Sequence, residues 1–261
     1  MSGRATDAPH PSITACVIAR NEAKNLREGL PGLRWADEVL VLVDAATTDE
    51  SMAVATPLAD RVEQAPFRSF SDFRNRALAL ASGTWVFFVD ADERVSSALA
   101  AEIREATSGR GLSTNEPQPT GYWIPRHNVI LGRLVRGGGW WPDYQLRLLR
   151  RGAATYDPAR AVHETVLLNG PSDYLDEPLL HLNYTSIGQI IHKQRRYAEL
   201  EAESLRTAGA RPRVRALVAA PIREFWRRYV VLAGWTDGPI GLLLSVVLAY
   251  YAFKTVLIAR R

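Results

Sequence analysis

Cysteine is almost missing from this chain: Cys16 stands alone among 261 residues. No intramolecular disulfide can form, and nothing points to an oxidising compartment. Cys16 lies in an apolar run and reads as a reduced core residue. An apolar leader is missing as well. Met1 to Ser12 is polar and contains Pro9 and Pro11, which fits a flexible N-terminus over residues 1–12 and a chain that begins in the cytosol. Internal repeats and low-complexity tracts are absent. Acid is scarce at the far end, where residues 206 to 261 carry ten Lys or Arg against Glu224 and Asp237 alone. That is a net of +8 within a total of +4, which leaves −4 for residues 1 to 205. A basic end behind an acidic body calls for a polyanionic partner, a membrane surface or nucleic acid. Nucleic acid is disfavoured because no basic groove interleaved with aromatics accompanies the charge.

What is present is globular, with 47% hydrophobic and 23% charged residues and enough length for one α/β domain plus an appendage. The organising stretch is Trp85 to Arg94. Five apolar residues, Trp85 to Val89, are too few for a helix and read as a strand buried on both faces. The strand ends on Asp90-Ala91-Asp92. In an open α/β sheet, ligands bind beyond the carboxyl ends of the strands, so these acids are delivered to a substrate crevice. Two carboxylates one residue apart suit a hard divalent cation that also binds diphosphate oxygens.

The same grammar recurs earlier. Ile13 to Ala19 is a buried strand running into Arg20-Asn21-Glu22, and Glu38 to Val43 is another ending on Asp44, with Thr48 or Asp49 placed to cap the next helix. Arg61 to Gln64 reads as an edge strand, and Ser69 to Ala81 and Ser96 to Thr107 read as helices. Strand and helix alternate as in a parallel sheet covered on both sides. The run from Gly109 to Thr120 is a loop with the composition of a mobile segment. Beyond it, short strands at Gly121 to Asn128, Asp143 to Leu149, Val162 to Leu168 and Leu179 to Asn183 predict a mixed or antiparallel half. Ser186 to Thr207 reads as a long charged helix. The expected organisation is therefore 13–108 and 109–185 as two halves of one domain, with 186–261 as helices.

Three strand ends thus carry Arg20-Asn21-Glu22, Asp44 with Asp49, and Asp90-Ala91-Asp92, in that order. The set resembles the nucleotide-sugar half of family 2 inverting glycosyltransferases, whose fold is the Rossmann-like GT-A arrangement. The runs Phe67 to Ala77 and Gly138 to Leu148, with Val162-His163-Glu164, are more narrowly similar to the bacterial lipopolysaccharide core glucosyltransferases. The resemblance implies that Asp44 contacts the nucleotide base, with Arg20, Asn21 and Glu22 lining the same pocket. It places Asp90 near the ribose and Asp92 as ligand to Mn2+ or Mg2+ on the diphosphate. The turn after Asp44 departs from the family's Ser-Gly-Ser, being Ala45-Ala46-Thr47, which removes a glycine from a close backbone approach.

Inverting transfer needs a carboxylate within hydrogen-bond reach of the attacking hydroxyl. Asp143 and Glu164 are the candidates. Asp143 follows Gly137-Gly138-Gly139 and Trp140-Trp141, a segment that reads either as an aromatic acceptor platform on a flexible hinge or as core. His163 is a candidate metal ligand or a loop-orienting histidine, and Arg147 is a candidate bidentate contact to the diphosphate.

The tail joins a basic amphipathic helix, Val214 to Leu232, to an apolar one, Gly238 to Ile258. Gly238 to Phe253 holds no charge, and that length lies between a buried helix and a span. The terminal Arg260 and Arg261 argue against crossing, so a monotopic anchor or re-entrant hairpin is expected, with an oligomer interface as the alternative. The reading is an α/β GT-A enzyme on the cytoplasmic face of the cell membrane. It moves a hexose, UDP-linked by expectation, from a nucleotide-sugar donor to a lipid-linked saccharide acceptor such as lipopolysaccharide core. A polyprenyl-phosphate sugar synthase and a noncatalytic membrane-associated sugar-binding protein are the alternatives; Asp92 with two spare carboxylates speaks against the last.

Overall fold

The computed structural model describes residues 11–109, 117–157 and 166–260. The first ten residues of the expected flexible N-terminus, 110–116 of the expected mobile loop, and His163 with Glu164 lie outside the described residues.

The first half alternates as its sequence demands: β1 (Ile13–Ala19), α1 (Ala23–Gly29), β2 (Glu38–Asp44), α2 (Ser51–Ala55), β3 (Arg61–Ala65), α3 (Phe70–Leu80), β4 (Trp85–Asp90), a short β5 (Glu93–Arg94) and α4 (Ser97–Thr107). Serines start the two longer helices, with Ser69 Oγ accepting from Asp72 N and Ser96 Oγ from Leu99 N. The second half holds β6 (Gly121–Ile130), β7 (Arg133–Val135), β8 (Asp143–Arg150), β9 (Ala154–Tyr156), β10 (Val166–Leu168), β11 (Ser172–Tyr174) and β12 (Leu179–Tyr184), followed by α5 (Ile187–Thr207), α6 (Ala216–Trp226) and α7 (Gly238–Ala259). Main-sheet order is β3-β2-β1-β4-β8-β6-β12-β5, with β7 and β11 also bonded to β6. The strands β3, β2, β1 and β4 are parallel, and β8 joins β4 antiparallel, so the sheet is mixed as expected.

The expected continuous helix to Leu232 instead ends at Trp226. A π turn over Arg227–Val231 follows, in which Leu232 N donates back to Arg227 O, and Ala233 at φ +53 ends the run.

The described residues form two compact units, one drawn from 11–125 and 144–180 and the other from 126–143 and 181–260. In the first, side chains alternate across the sheet with period two. Ile13, Ala15, Val17, Val39, Val41, Val43, Phe87 and Val89 face α1 and α4 with Leu26, Leu99 and Ile103, while Cys16, Leu40, Leu42, Val86 and Phe88 face α3 with Phe73 and Ala77. Both faces are therefore covered, and each fully buried Phe contributes about 1.5–3 kcal/mol. Burial pushes the Cys16 thiol up to about 12, with smaller effects from Arg74 and Glu38. The second unit has its own core of Ile130, Val135, Tyr184, Ile190 and Leu244, with Trp140 packed against it.

Candidate active site

Because β1, β2 and β4 are parallel neighbours, their carboxyl ends lie side by side; Asp90 registers with Ile18 on β1. Three polar loops therefore share one edge of the sheet in the first unit.

Asp44, at the end of β2, is 2% exposed. Its Oδ1 accepts from Ala46 N at 2.9 Å, and its Oδ2 is buried without a hydrogen-bond donor, 3.4 Å from Nε of the exposed Arg20. A buried carboxylate oxygen without a donor is costly, and it marks a place where a ligand N–H or O–H can dock. Asn21, left-handed at φ +56, turns its amide oxygen onto the neighbouring loop and accepts from Thr48 N at 2.8 Å and Asp49 N at 3.3 Å. Asparagine tolerates that backbone, and here its side chain braces two loops. Asp49 is not the N-cap of α2, which is Glu50. Its carboxylate instead accepts from Ala23 N and from Ser51 N and Oγ, tying the starts of α1 and α2 together. Glu22 is half-buried, receives Asn25 Nδ2 on Oε2 at 2.7 Å, and donates its own N–H to Ser51 Oγ. Burial raises its pKa; the Asn25 bond lowers it, and the charges of Asp92 and Asp49 raise it further.

Asp90 is held by two guanidinium groups. Arg147, 4% exposed, forks between Asp90 and Glu93: Nη1 donates to Asp90 Oδ1 at 3.0 Å, and Nη2 donates to Asp90 Oδ2 and to Glu93 Oε1. Arg74 Nη2 reaches Asp90 Oδ1 at 3.2 Å from α3, stacked over Phe88. Burial alone would lower the Arg147 pKa, and the two carboxylates more than offset this and raise it. Arg147, expected as a contact to diphosphate, is thus buried and props the end of β4. Glu93, 2% exposed, also accepts from Asp90 N at 2.9 Å, which shapes the turn that presents the half-buried Asp92.

Among the described residues no group of three or more His, Cys, Asp or Glu is placed to hold a metal ion. Hard cations take six or more oxygens. The donor set here, Asp92 with its charge felt by Glu22, fits a cation that draws its remaining ligands from a bound diphosphate and water.

The second unit carries a separate polar network. Asp143 Oδ2 accepts from Arg126 Nε at 2.9 Å and Nη2 at 2.5 Å, with Asn128 Nδ2 at 3.5 Å. Asn128, 1% exposed, also donates to Trp140 O, and its Oδ1 faces His181 Nδ1 at 2.9 Å and Asn183 Nδ2 at 3.0 Å. Trp140 packs into the core edge-on to Tyr184, whereas Trp141 is half-exposed against His127. The glycine run is no loose hinge. A Cβ on Gly137 would overlap the Ala233 carbonyl, Gly138 N donates to Leu232 O, and Asp237 accepts from Arg136 N and Gly137 N.

Residues 14–107 match the family described as Glycosyl transferase family 2. Over 258 residues, 95% of this chain and 91% of the relative, the sequence is 29% identical to the lipopolysaccharide core biosynthesis glycosyltransferase LpsC of Rhizobium meliloti (strain 1021). The chain is a glycosyltransferase that is similar to family 2 over residues 14–107. This glycosyltransferase is also 24% identical over 251 residues to the uncharacterized glycosyltransferase RC0292 of Rickettsia conorii, covering 92% of this chain and 87% of the relative. Its fold is GT-A. It resembles the mannosyltransferase PcManGT from Pyrobaculum calidifontis in complex with GDP-Man and Mn2+, with a TM-score of 0.55 and 14% identity over 95% of this chain and 86% of that one. It is likewise similar to S. aureus TarS 1-349 in complex with UDP-GlcNAc, with a TM-score of 0.51 and 14% identity over 95% and 89%.

Sequence reasoning assigned no role to Glu93, Arg74, Arg126, Asn128 or His181. The signal for two of them was visible as polar residues at inward positions of apolar strands, Asn128 in β6 and His181 in β12.

Proposed function

We propose that this glycosyltransferase moves a hexose from a nucleotide-diphosphate sugar to a lipid-linked saccharide of the lipopolysaccharide core type, with inversion at the anomeric carbon. The observation that carries the donor half is Asp44, whose buried Oδ2 lacks a hydrogen-bond donor beside Arg20. That oxygen accepts an N–H of the nucleobase, and Arg20, held loosely at 3.4 Å and exposed, closes over the base. Asn21 keeps the two loops in register, and Glu22 lines the pocket. Asp90, fixed by Arg147 and Arg74, faces the ribose. Asp92 would hold Mn2+ or Mg2+ with the donor diphosphate, and His163 is a further candidate ligand. A bound cation supplies charge neutralisation of the departing diphosphate. The binding of GDP-Man with Mn2+ by PcManGT and of UDP-GlcNAc by TarS supports a nucleotide sugar as donor.

Asp143 or Glu164 takes the proton from the attacking hydroxyl. The two guanidinium bonds and the Asn128 amide fix the Asp143 carboxylate in one orientation, as a positioned base requires. The name of LpsC supports the acceptor class, and the apolar C-terminal helix supports work at a membrane surface, read as its cytoplasmic face. Thermal-shift titration with UDP- and GDP-sugars, with and without Mn2+, tests the reading, since a ligand stabilises the state it binds by mass action. A metal-dependent upward shift with one nucleotide, lost in Asp44→Asn, is expected. No shift with any nucleotide sugar would overturn it.

A further inference from the structure

A set of apolar residues along α6 and its flanks is on the outside. Val214, Val218, Ile222, Trp226 and Val230 recur every four residues, and the first four are at least 60% exposed. A surface helix in water buries such a stripe, so contiguous exposure marks a docking surface. Its flanks identify the occupant. Arg211, Arg213, Arg215 and Arg223 are exposed beside it, and the lone carboxylate of the helix, Glu224, is consumed by Arg227 and Arg228. Two exposed tryptophans, Trp226 and Trp235, lie toward its end, the residue type that settles at the headgroup level.

The helix α7 has the length and composition to cross a membrane. However, it packs against both α5 and α6, burying Leu244, Ser245, Ala249, Val256 and Ala259. Tyr251 donates to Ile191 O on α5, and Arg260 donates to Pro212 O just ahead of α6. The helix α5 carries Lys193, Arg195, Arg196, Glu199, Glu201, Glu203 and Arg206. A crossing α7 must either abandon this packing or pull those charges toward hydrocarbon, which membranes oppose.

We propose that the C-terminal helices dock in plane on an anionic lipid surface through the Val214-Val218-Ile222-Trp226-Val230 face, with α7 remaining packed in the protein. This rests on the membrane location read above and specifies the face and its orientation. Arginines at the surface contribute about fivefold in affinity each, and the apolar stripe adds a part that salt does not screen.

The test is sedimentation of the full chain with phosphatidylcholine vesicles with and without phosphatidylglycerol. Wild type should pellet only with the anionic vesicles and stay bound in high salt, with bromolipid quenching Trp226 fluorescence. Val218→Glu/Ile222→Glu should bind at least tenfold more weakly while melting and shifting with nucleotide sugar as wild type does. Arg211→Gln/Arg213→Gln/Arg215→Gln should weaken binding in low salt only. Wild-type binding by the glutamate variant would overturn the proposal, as would a C-terminal label that only a reagent in the vesicle lumen reaches. Self-association of wild type without vesicle binding, abolished by the glutamates, would also overturn it and assign the face to a second copy. Failure of the nucleotide titration alongside intact vesicle binding would sink the donor reading and leave this one standing.

Discussion

The two units handle water in opposite ways. The first puts charge inside: Asp44, Glu93 and Arg147 are each less than 5% exposed within an otherwise apolar two-faced core. The second puts hydrocarbon outside, with Val218, Ile222, Trp226 and Val231 at 60–65%. Buried charge is expensive and is retained where it is paired or must meet a ligand; exposed hydrocarbon is tolerated where its solvent is not water. The contrast sets the proposed donor site in one unit against the proposed lipid-docking face in the other.

Activity breaks the comparison most sharply. Asp143→Asn and Glu164→Gln keep shape while removing basicity, so one of them should lose transfer by roughly two to four orders of magnitude yet still shift with donor. Near-wild-type turnover by both in a radiolabelled-sugar assay would show that neither is the base. Next in size is the buried ion pair. Arg147→Met removes the guanidinium shared by the buried Glu93 and Asp90, with Arg74 left on Asp90, and should cost about 3–5 kcal/mol in urea unfolding; the same curves for Val218→Glu/Ile222→Glu should stay within about 0.5 kcal/mol, since those side chains face out. Equal losses would erase the distinction between the units. Asp92→Asn should remove the Mn2+-dependent part of donor stabilisation, about 2.7 kcal/mol at a hundredfold excess over Kd, and leave the apo melting curve unmoved. A full shift in that variant, or wild-type turnover in excess chelator, would dismiss Asp92 as a ligand.

The smallest effect belongs to Cys16. Its folded-state pKa is raised by burial from 9.0 to about 12, so between those values the unfolded chain releases a proton that the folded one keeps. Its contribution to stability is complete below about pH 9 and is lost as pH rises toward 12. Alkylation of Cys16 at pH 8 should therefore follow global unfolding, and modification of the native protein at the rate of a free thiol would contradict its burial.

Much of this was legible in the sequence, for a physical reason. Short apolar runs ending in acid are what buried parallel strands look like, and β1, β2 and β4 appear within a residue of their expected bounds. The helices expected from Ser69 and Ser96 begin there, and the two serines cap them. What was not legible depends on long-range pairing. Nothing local in Gln145 to Leu149 shows that Arg147 turns inward to meet Asp90, 57 residues earlier. Nor does the Gly137 to Trp141 run reveal that Ala233 and Asp237 lock it. The helix beyond Leu217 carried a plain apolar repeat, but periodicity cannot say whether a stripe faces a core or the outside.

The Asp90–Arg147–Glu93 fork bears on how such enzymes can be recombined. The residues that match the family end at 107, and a chimera built from that boundary would graft a foreign acceptor half onto the native donor half. The junction would pass between Glu93 and the guanidinium that neutralises it. A splice at 107 therefore leaves the buried Glu93 without the guanidinium of Arg147, and Asp90 with Arg74 alone, unless the incoming partner supplies an arginine at the same point of its antiparallel strand. The usable cut lies after Arg150, once β8 has been carried along, and the unit of exchange is set by an ion pair rather than by where sequence similarity stops.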